Sequence, residues 1–136
     1  MAALSVHHVG IAVDDLEAAI ATYAALFGAT LERREAVAEQ GVEAASLLVG
    51  ETRIELLAPL GPDTPVGKFL AKRGPGMHHV AFAVADVAAE LERLRAGGAR
   101  LIDETPRVGL FGHQVAFVHP EATGGVLAEL VSNGSQ

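Results

Sequence analysis

Two stretches of this chain repeat one another. Residues 7–28 read HHVGIAVDDLEAAIATYAALFG, and residues 78–98 read HHVAFAVADVAAELERLRAGG. His8 matches His79, Asp15 matches Asp86, Leu16 matches Val87, Ile20 matches Leu91 and Tyr23 matches Leu94, each pair offset by 71 positions. A repeat of that length confines the fold to two copies of one supersecondary unit, each about half of the 136 residues. The chain is long enough for one domain with a sizeable core, and its hydrophobic half gives that core its material.

Each copy opens on a strand pattern. Side chains alternate across a strand, so Val9, Ile11 and Val13 share one face while His8, Gly10 and Ala12 share the other. The second copy sets Val80, Phe82 and Val84 against His79, Ala81 and Ala83. One face is bulky and suited to packing under a helix. The other holds a histidine among Gly and Ala, where a packed interior would be filled with large side chains, and so leaves room for a ligand. Asp15 and Asp86 then suit helix N-caps, and Leu16, Ile20, Tyr23 and Phe27, like Val87, Leu91 and Leu94, recur at helical spacing. Gly28 and Gly97-Gly98 stop the helices.

Three short strands are predicted after each helix, near 30–37, 43–49 and 52–58 in the first copy and near 100–103, 113–118 and 126–131 in the second. The expected class is therefore α+β, with two tandem βαβββ modules at about 5–60 and 77–132. A Pro/Gly-bounded linker at about 61–76 joins them and carries a short helix near Val66–Lys72. All 136 residues are read as one domain.

The repeat extends to the last strand of each module, where Arg53-Ile54-Glu55-Leu56-Leu57 parallels Leu127-Ala128-Glu129-Leu130-Val131. A carboxylate inside an apolar strand needs a partner. A lone strand His or Glu is more often structural than a ligand, but two His–Glu pairs at matching places in a repeat are hard to ascribe to chance. His8, Glu55, His79 and Glu129 are the candidate metal ligands, and such nitrogen and oxygen donors suit Co, Ni, Mn, Fe or Zn. His7 and His78 lie on the opposite strand face and are read as core or interface residues. His113 and His119 are read as surface or structural.

Composition removes other classes. No cysteine is present, which excludes disulfides and thiolate ligands and fits a cytoplasmic protein. The net charge of −7, one Tyr and no Trp argue against a nucleic-acid surface. No apolar run is long enough to span a bilayer, and MAALSVHHVG does not read as a signal peptide.

With these four positions, the paired modules resemble the vicinal-oxygen-chelate superfamily, which includes glyoxalase I, extradiol dioxygenases, fosfomycin-resistance proteins and methylmalonyl-CoA epimerases. The segments EQGVEAASL, KFLAKRGPGMHHVAF, GARLIDETPRVG and HPEATGGVLAELV look specifically like the epimerases. The resemblance implies the glyoxalase/bleomycin-resistance fold, with the two modules forming an open barrel-like metal cleft. It also implies one divalent ion (Co, Ni, Mn or Zn), a homodimer, and inversion at C2 of an acyl-CoA substrate, methylmalonyl-CoA. Glu129 is then a catalytic base as well as a ligand. Some of the epimerases carry another base, a Glu three residues after the Gly of EQGV; that position is Ala44 here, which leaves the neighbouring Glu43, or a metal-bound water, as the implied second group. Glu121 also departs from the family, where Lys is common. Lys68, Lys72, Arg73 and Arg107 are candidates to meet the CoA phosphates. Glyoxalase I shares the ligand set, an iron dioxygenase would leave Glu55 surplus, and metal-free binding proteins of this fold often lack the full set.

Overall fold

The computed structural model describes residues 3–132. The chain divides into two compact units, His8–His78, and the residues up to His7 together with those from His79 onward.

The His8–His78 unit takes β1 (Ser5–Ala12) from His8, then α1 (Leu16–Phe27), β2 (Thr30–Val37), β3 (Val42–Val49), β4 (Thr52–Pro59) and α2 (Pro65–Arg73). Its strands lie in the order β2-β3-β4-β1. β1 and β4 run parallel, and β3 is antiparallel to both β2 and β4. The first helix begins where Asp15 Oδ1 accepts from Ala18 N at 3.1 Å. It ends at Gly28, whose φ of 70° is a conformation side chains disfavour. Ala45, Leu47, Leu56, Val13 and Leu16 form the core under this helix, with Ile11, Ile20 and Tyr23 packed against it. The bulky face of β1 thus lies under the helix, as its alternation predicts.

The linker helix α2 is capped by Thr64, whose Oγ1 accepts from Gly67 N at 3.0 Å. Its extent exceeds the predicted Val66–Lys72 by one residue at each end. Gly41 is required in the turn before β3: its φ is +68°, and a Cβ there would fall 2.3 Å from Thr64 Cγ2.

The other unit holds β5 (Gly76–Ala83) from His79, α3 (Val87–Ala96), β6 (Arg107–Val108), β7 (Gln114–Val118) and β8 (Ala128–Ser132), with strand order β5-β8-β7-β6. The pattern of the first unit recurs: β5 and β8 are parallel, and β7 is antiparallel to its neighbours. Asp86 Oδ1 accepts from Ala89 N at 3.2 Å, and Val87 and Leu91 pack on Ala116, Val118, Ala128 and Leu130. One predicted strand changes. Residues 100–103 keep only a bridge from Leu101 to Val118. The N–H groups of Ile102 and Asp103 both donate to Phe117 O, so the chain turns there and cannot run on as a ladder. The first strand after α3 is instead the two-residue β6, just after Pro106, which has no N–H to donate.

Candidate functional site

A charged side chain inside a sheet is costly unless it is paired. Glu55 is 3% exposed and Glu129 8%, each between apolar neighbours. Both have partners. In the first unit His8 Nε2 lies 3.3 Å from Glu55 Oε1. In the second, His79 Nε2 lies 3.2 Å from Glu129 Oε1. Strand register explains both contacts. Glu55 stands beside Gly10 and Glu129 beside Ala81, each two residues after its histidine and therefore on the histidine's face. Gly10 and Ala81 leave the space through which the imidazole meets the carboxylate diagonally. Each unit thus places one imidazole nitrogen and one carboxylate together, away from its helix. The donor set fits a divalent ion: borderline metals accept neutral imidazole and carboxylate oxygen, and burial lowers the competition from water.

The rows flanking these pairs add groups that spacing alone does not reveal. Ser46, fully buried, stands directly across β3–β4 from Glu55. Its Oγ donates to Glu32 Oε1 at 2.8 Å. Arg53 donates to both oxygens of Glu32, at 3.0 Å each. Glu32 is brought to this face by a β-bulge in β2 between Leu31 and Arg33, where two residues oppose one. The Arg53 hydrogen bond, reinforced by Ser46 and the Arg53 charge, holds the Glu32 carboxyl at about 2 against an ordinary 4.5. In the second unit Phe117 stands across β7–β8 from Glu129, and its ring meets His79 edge-on at 5.6 Å. Arg107 on β6 lies over that ring, 5.6 Å from its centroid.

Glu43 falls elsewhere. In the β3–β4 register it pairs with Ala58, one step out of phase with Ser46 and Glu55, so it belongs to the helix-packed face. It is ion-paired there with Arg34 at 3.0 Å, and Arg34 also binds Glu17 of α1. The bulge that would re-aim a carboxylate exists, but it lies in β2 at Glu32 and not in β3. His7 packs edge-on against His113 at 5.1 Å, and His78 against Phe69 at 4.9 Å. His119 caps the turn Pro120–Thr123, accepting from Glu121 N at 3.0 Å. Lys68, Lys72 and Arg73 are exposed on α2. No helix among the described residues is long and apolar enough to cross a membrane.

The family model described as the Glyoxalase/Bleomycin resistance protein/Dioxygenase superfamily matches residues 7–117. The chain is 40% identical to an ethylmalonyl-CoA/methylmalonyl-CoA epimerase of Cereibacter sphaeroides, covering 91% of this chain and 94% of that protein. A methylmalonyl-CoA epimerase of Mycobacterium tuberculosis is similar in structure, with a TM-score of 0.91, 42% identity and coverage of 96% and 88% of the two chains. A methylmalonyl-CoA epimerase solved in complex with methylmalonyl-CoA and NH4+ superposes with a TM-score of 0.94 at 38% identity, covering 98% of this chain and 97% of that one. Matched over almost its full length by sequence and by structure, the chain belongs to the Glyoxalase/Bleomycin resistance protein/Dioxygenase superfamily and, within it, to the methylmalonyl-CoA epimerase family.

Proposed function

We propose that this protein interconverts the (2R) and (2S) epimers of methylmalonyl-CoA, with His8, Glu55, His79 and Glu129 binding one divalent metal ion of the Co, Ni, Mn or Zn type. The observation that carries this reading is the pair of buried imidazole–carboxylate contacts, 3.3 Å at His8–Glu55 and 3.2 Å at His79–Glu129, formed by the same register in both units. When bound, the ion supplies Lewis acidity that makes the C2 proton of a thioester easier to remove.

The protein's own groups do the rest. Glu129 takes the C2 proton, and the C–H electron pair passes into the thioester carbonyl as an enolate. Phe117, across the ladder from Glu129, walls the carboxylate on one side and keeps the His79 ring in place. Ser46 and Arg53 fix Glu32 beside Glu55, so the face around that ligand is already hydrogen-bonded and rigid. Because Glu43 lies on the helix-packed face, we assign it an ion-pair role with Arg34 and no proton transfer. The reading includes a homodimer in the cytoplasm, which sedimentation and cell fractionation check. Arg107 and the exposed cations of α2 are assigned to the CoA phosphates.

A glyoxalase I-type lyase would use the same ligands, so the ligands do not separate the two. The experiment that does is turnover by metal-loaded protein of methylmalonyl-CoA, beside the hemithioacetal of methylglyoxal and glutathione. Epimerisation that chelation abolishes supports the proposal. Hemithioacetal turnover without epimerisation defeats it. Ethylmalonyl-CoA belongs in the same assay, since the Cereibacter sphaeroides relative is an epimerase of both acyl-CoAs.

A further inference from the structure

We propose that Arg53 binds the free carboxylate of the acyl-CoA substrate, a reading that rests on the function proposed above. Methylmalonyl-CoA carries that carboxylate on C2, the carbon whose proton moves. A residue that recognises it stands beside the ligands of the site, and Arg53 does so within the His8–His78 unit alone.

Strand register fixes its place. Arg53 precedes Glu55 by two residues in β4, and side chains two apart share a face. In the parallel β1–β4 register Val9 stands beside Ile54, so His8 and Arg53, one step earlier on each strand, are neighbours too. Arg53 thus borders both candidate ligands of this unit, one along its strand and one across it. The hydrogen bond to Glu32 raises the pKa of its guanidinium against the cost of burial, and the charges of Glu32 and Glu55 raise it further. Glu55 therefore acts on Arg53 directly.

The guanidinium is held as well as placed. It has five N–H donors in a planar fork. Glu32 takes one on Nε and one on Nη2, at 3.0 Å each, and the two on Nη1 are not among them. The buried Ser46 Oγ donates at 2.8 Å to the same Glu32 oxygen as Arg53 Nε, which fixes the acceptor in turn. The arginine side chain is 34% exposed, so a ligand can reach it from solvent. A fork clamped in this way loses little further freedom on meeting a carboxylate, and arginine–carboxylate bonds are short and strong. The clamp also balances charge: Glu32 offsets Arg53, so the guanidinium does not oppose a divalent ion at His8 and Glu55.

Arg53 makes and breaks no covalent bond. Its part is to hold the C2 carboxylate, which orients the acyl group at the ligands and separates a carboxylated acyl-CoA from an uncarboxylated one. Propionyl-CoA is methylmalonyl-CoA without that carboxylate. It keeps the thioester and the phosphates, and so isolates the contact.

The test is calorimetric binding of methylmalonyl-CoA and of propionyl-CoA to metal-loaded wild type, Arg53→Gln and Arg53→Lys, with metal content and thermal melt measured. In Arg53→Gln we expect the Kd for methylmalonyl-CoA to rise on the order of 10-fold, as for loss of a charged hydrogen bond, while the Kd for propionyl-CoA stays at the wild-type value. KM for epimerisation should rise with that Kd. Arg53→Lys, which keeps the charge without the fork, should recover part of the preference, and it carries the same comparison if Arg53→Gln does not fold. Equal weakening of both ligands would mean that Arg53 meets the phosphates or only supports Glu32. An unchanged Kd for methylmalonyl-CoA would mean that it meets neither. Each result overturns the assignment. A wild-type enzyme that binds methylmalonyl-CoA and inverts neither epimer would instead sink the parent proposal, so the two failures are distinct.

Discussion

His79 Nε2 lies 3.2 Å from Glu129 Oε1, reached diagonally across the β5–β8 pair because Glu129 stands beside Ala81. Seventy-one positions earlier, His8 makes the equivalent contact with Glu55 across β1–β4, where the small neighbour is Gly10. Neither histidine is near its carboxylate in sequence. Parallel pairing brings them together, and it does so twice.

Truncating a histidine removes a nitrogen donor without disturbing the helix-packed core. His8→Ala and His79→Ala should each lose stoichiometric metal, with the circular dichroism of the folded protein retained. Elemental analysis after gel filtration checks this, and full metal content in either variant would remove that histidine from the ligand set.

The first module was legible almost to the residue, because β2, β3 and β4 are long, alternating strands bounded by glycine turns. The two buried His–Glu contacts were legible for a related reason: charged groups in apolar strands stand out, and the repeat pairs them. The strand expected at 100–103 failed because its hydrogen bonds converge on Phe117 O, a tertiary choice that local pattern does not encode. Glu32 was missed for a comparable reason. Strict alternation places it with the helix-packed residues, and only the bulge returns it to the ligand face. The face of Glu43, by contrast, followed from alternation alone.

Glu55 and Glu129 occupy matching places but are assigned unequal roles. Glutamine retains an oxygen donor yet cannot take a proton. Glu55→Gln should keep metal and much of its activity. Glu129→Gln should keep some metal and lose ~10²- to 10⁴-fold in C2 exchange. Equal, mild losses, measured by deuterium exchange with metal content known, would make Glu129 a ligand only.

Glu43→Gln tests the strand-face argument. The change disturbs a solvent-accessible ion pair with Arg34, a kind of contact that contributes little to stability. Epimerase activity should stay near wild type, with a small fall in Tm. A loss as large as that of Glu129→Gln would mean that Glu43 reaches the substrate.

The Glu32–Arg53 contact predicts a pH dependence. A carboxyl held at about 2 against an ordinary 4.5 contributes stability that is fully present above 4.5 and lost as pH falls toward 2. Arg53→Gln should therefore lower Tm at neutral pH, by roughly 2–5 °C for about 1 kcal/mol. The gap from wild type should close as acid protonates Glu32. A gap that is constant from neutral pH to the acid limit would show that packing, not the ion pair, is what the variant loses.

We propose that this protein moves the C2 proton of methylmalonyl-CoA by a metal-dependent route. The direct measurement is deuterium incorporation at C2 when the wild-type enzyme acts on a single epimer in D2O, followed by mass spectrometry and by chiral analysis of the product. One deuterium at C2 is expected together with inversion, both lost on chelation and restored by added Co, Ni, Mn or Zn. Inversion without solvent deuterium and unaffected by chelation would contradict it.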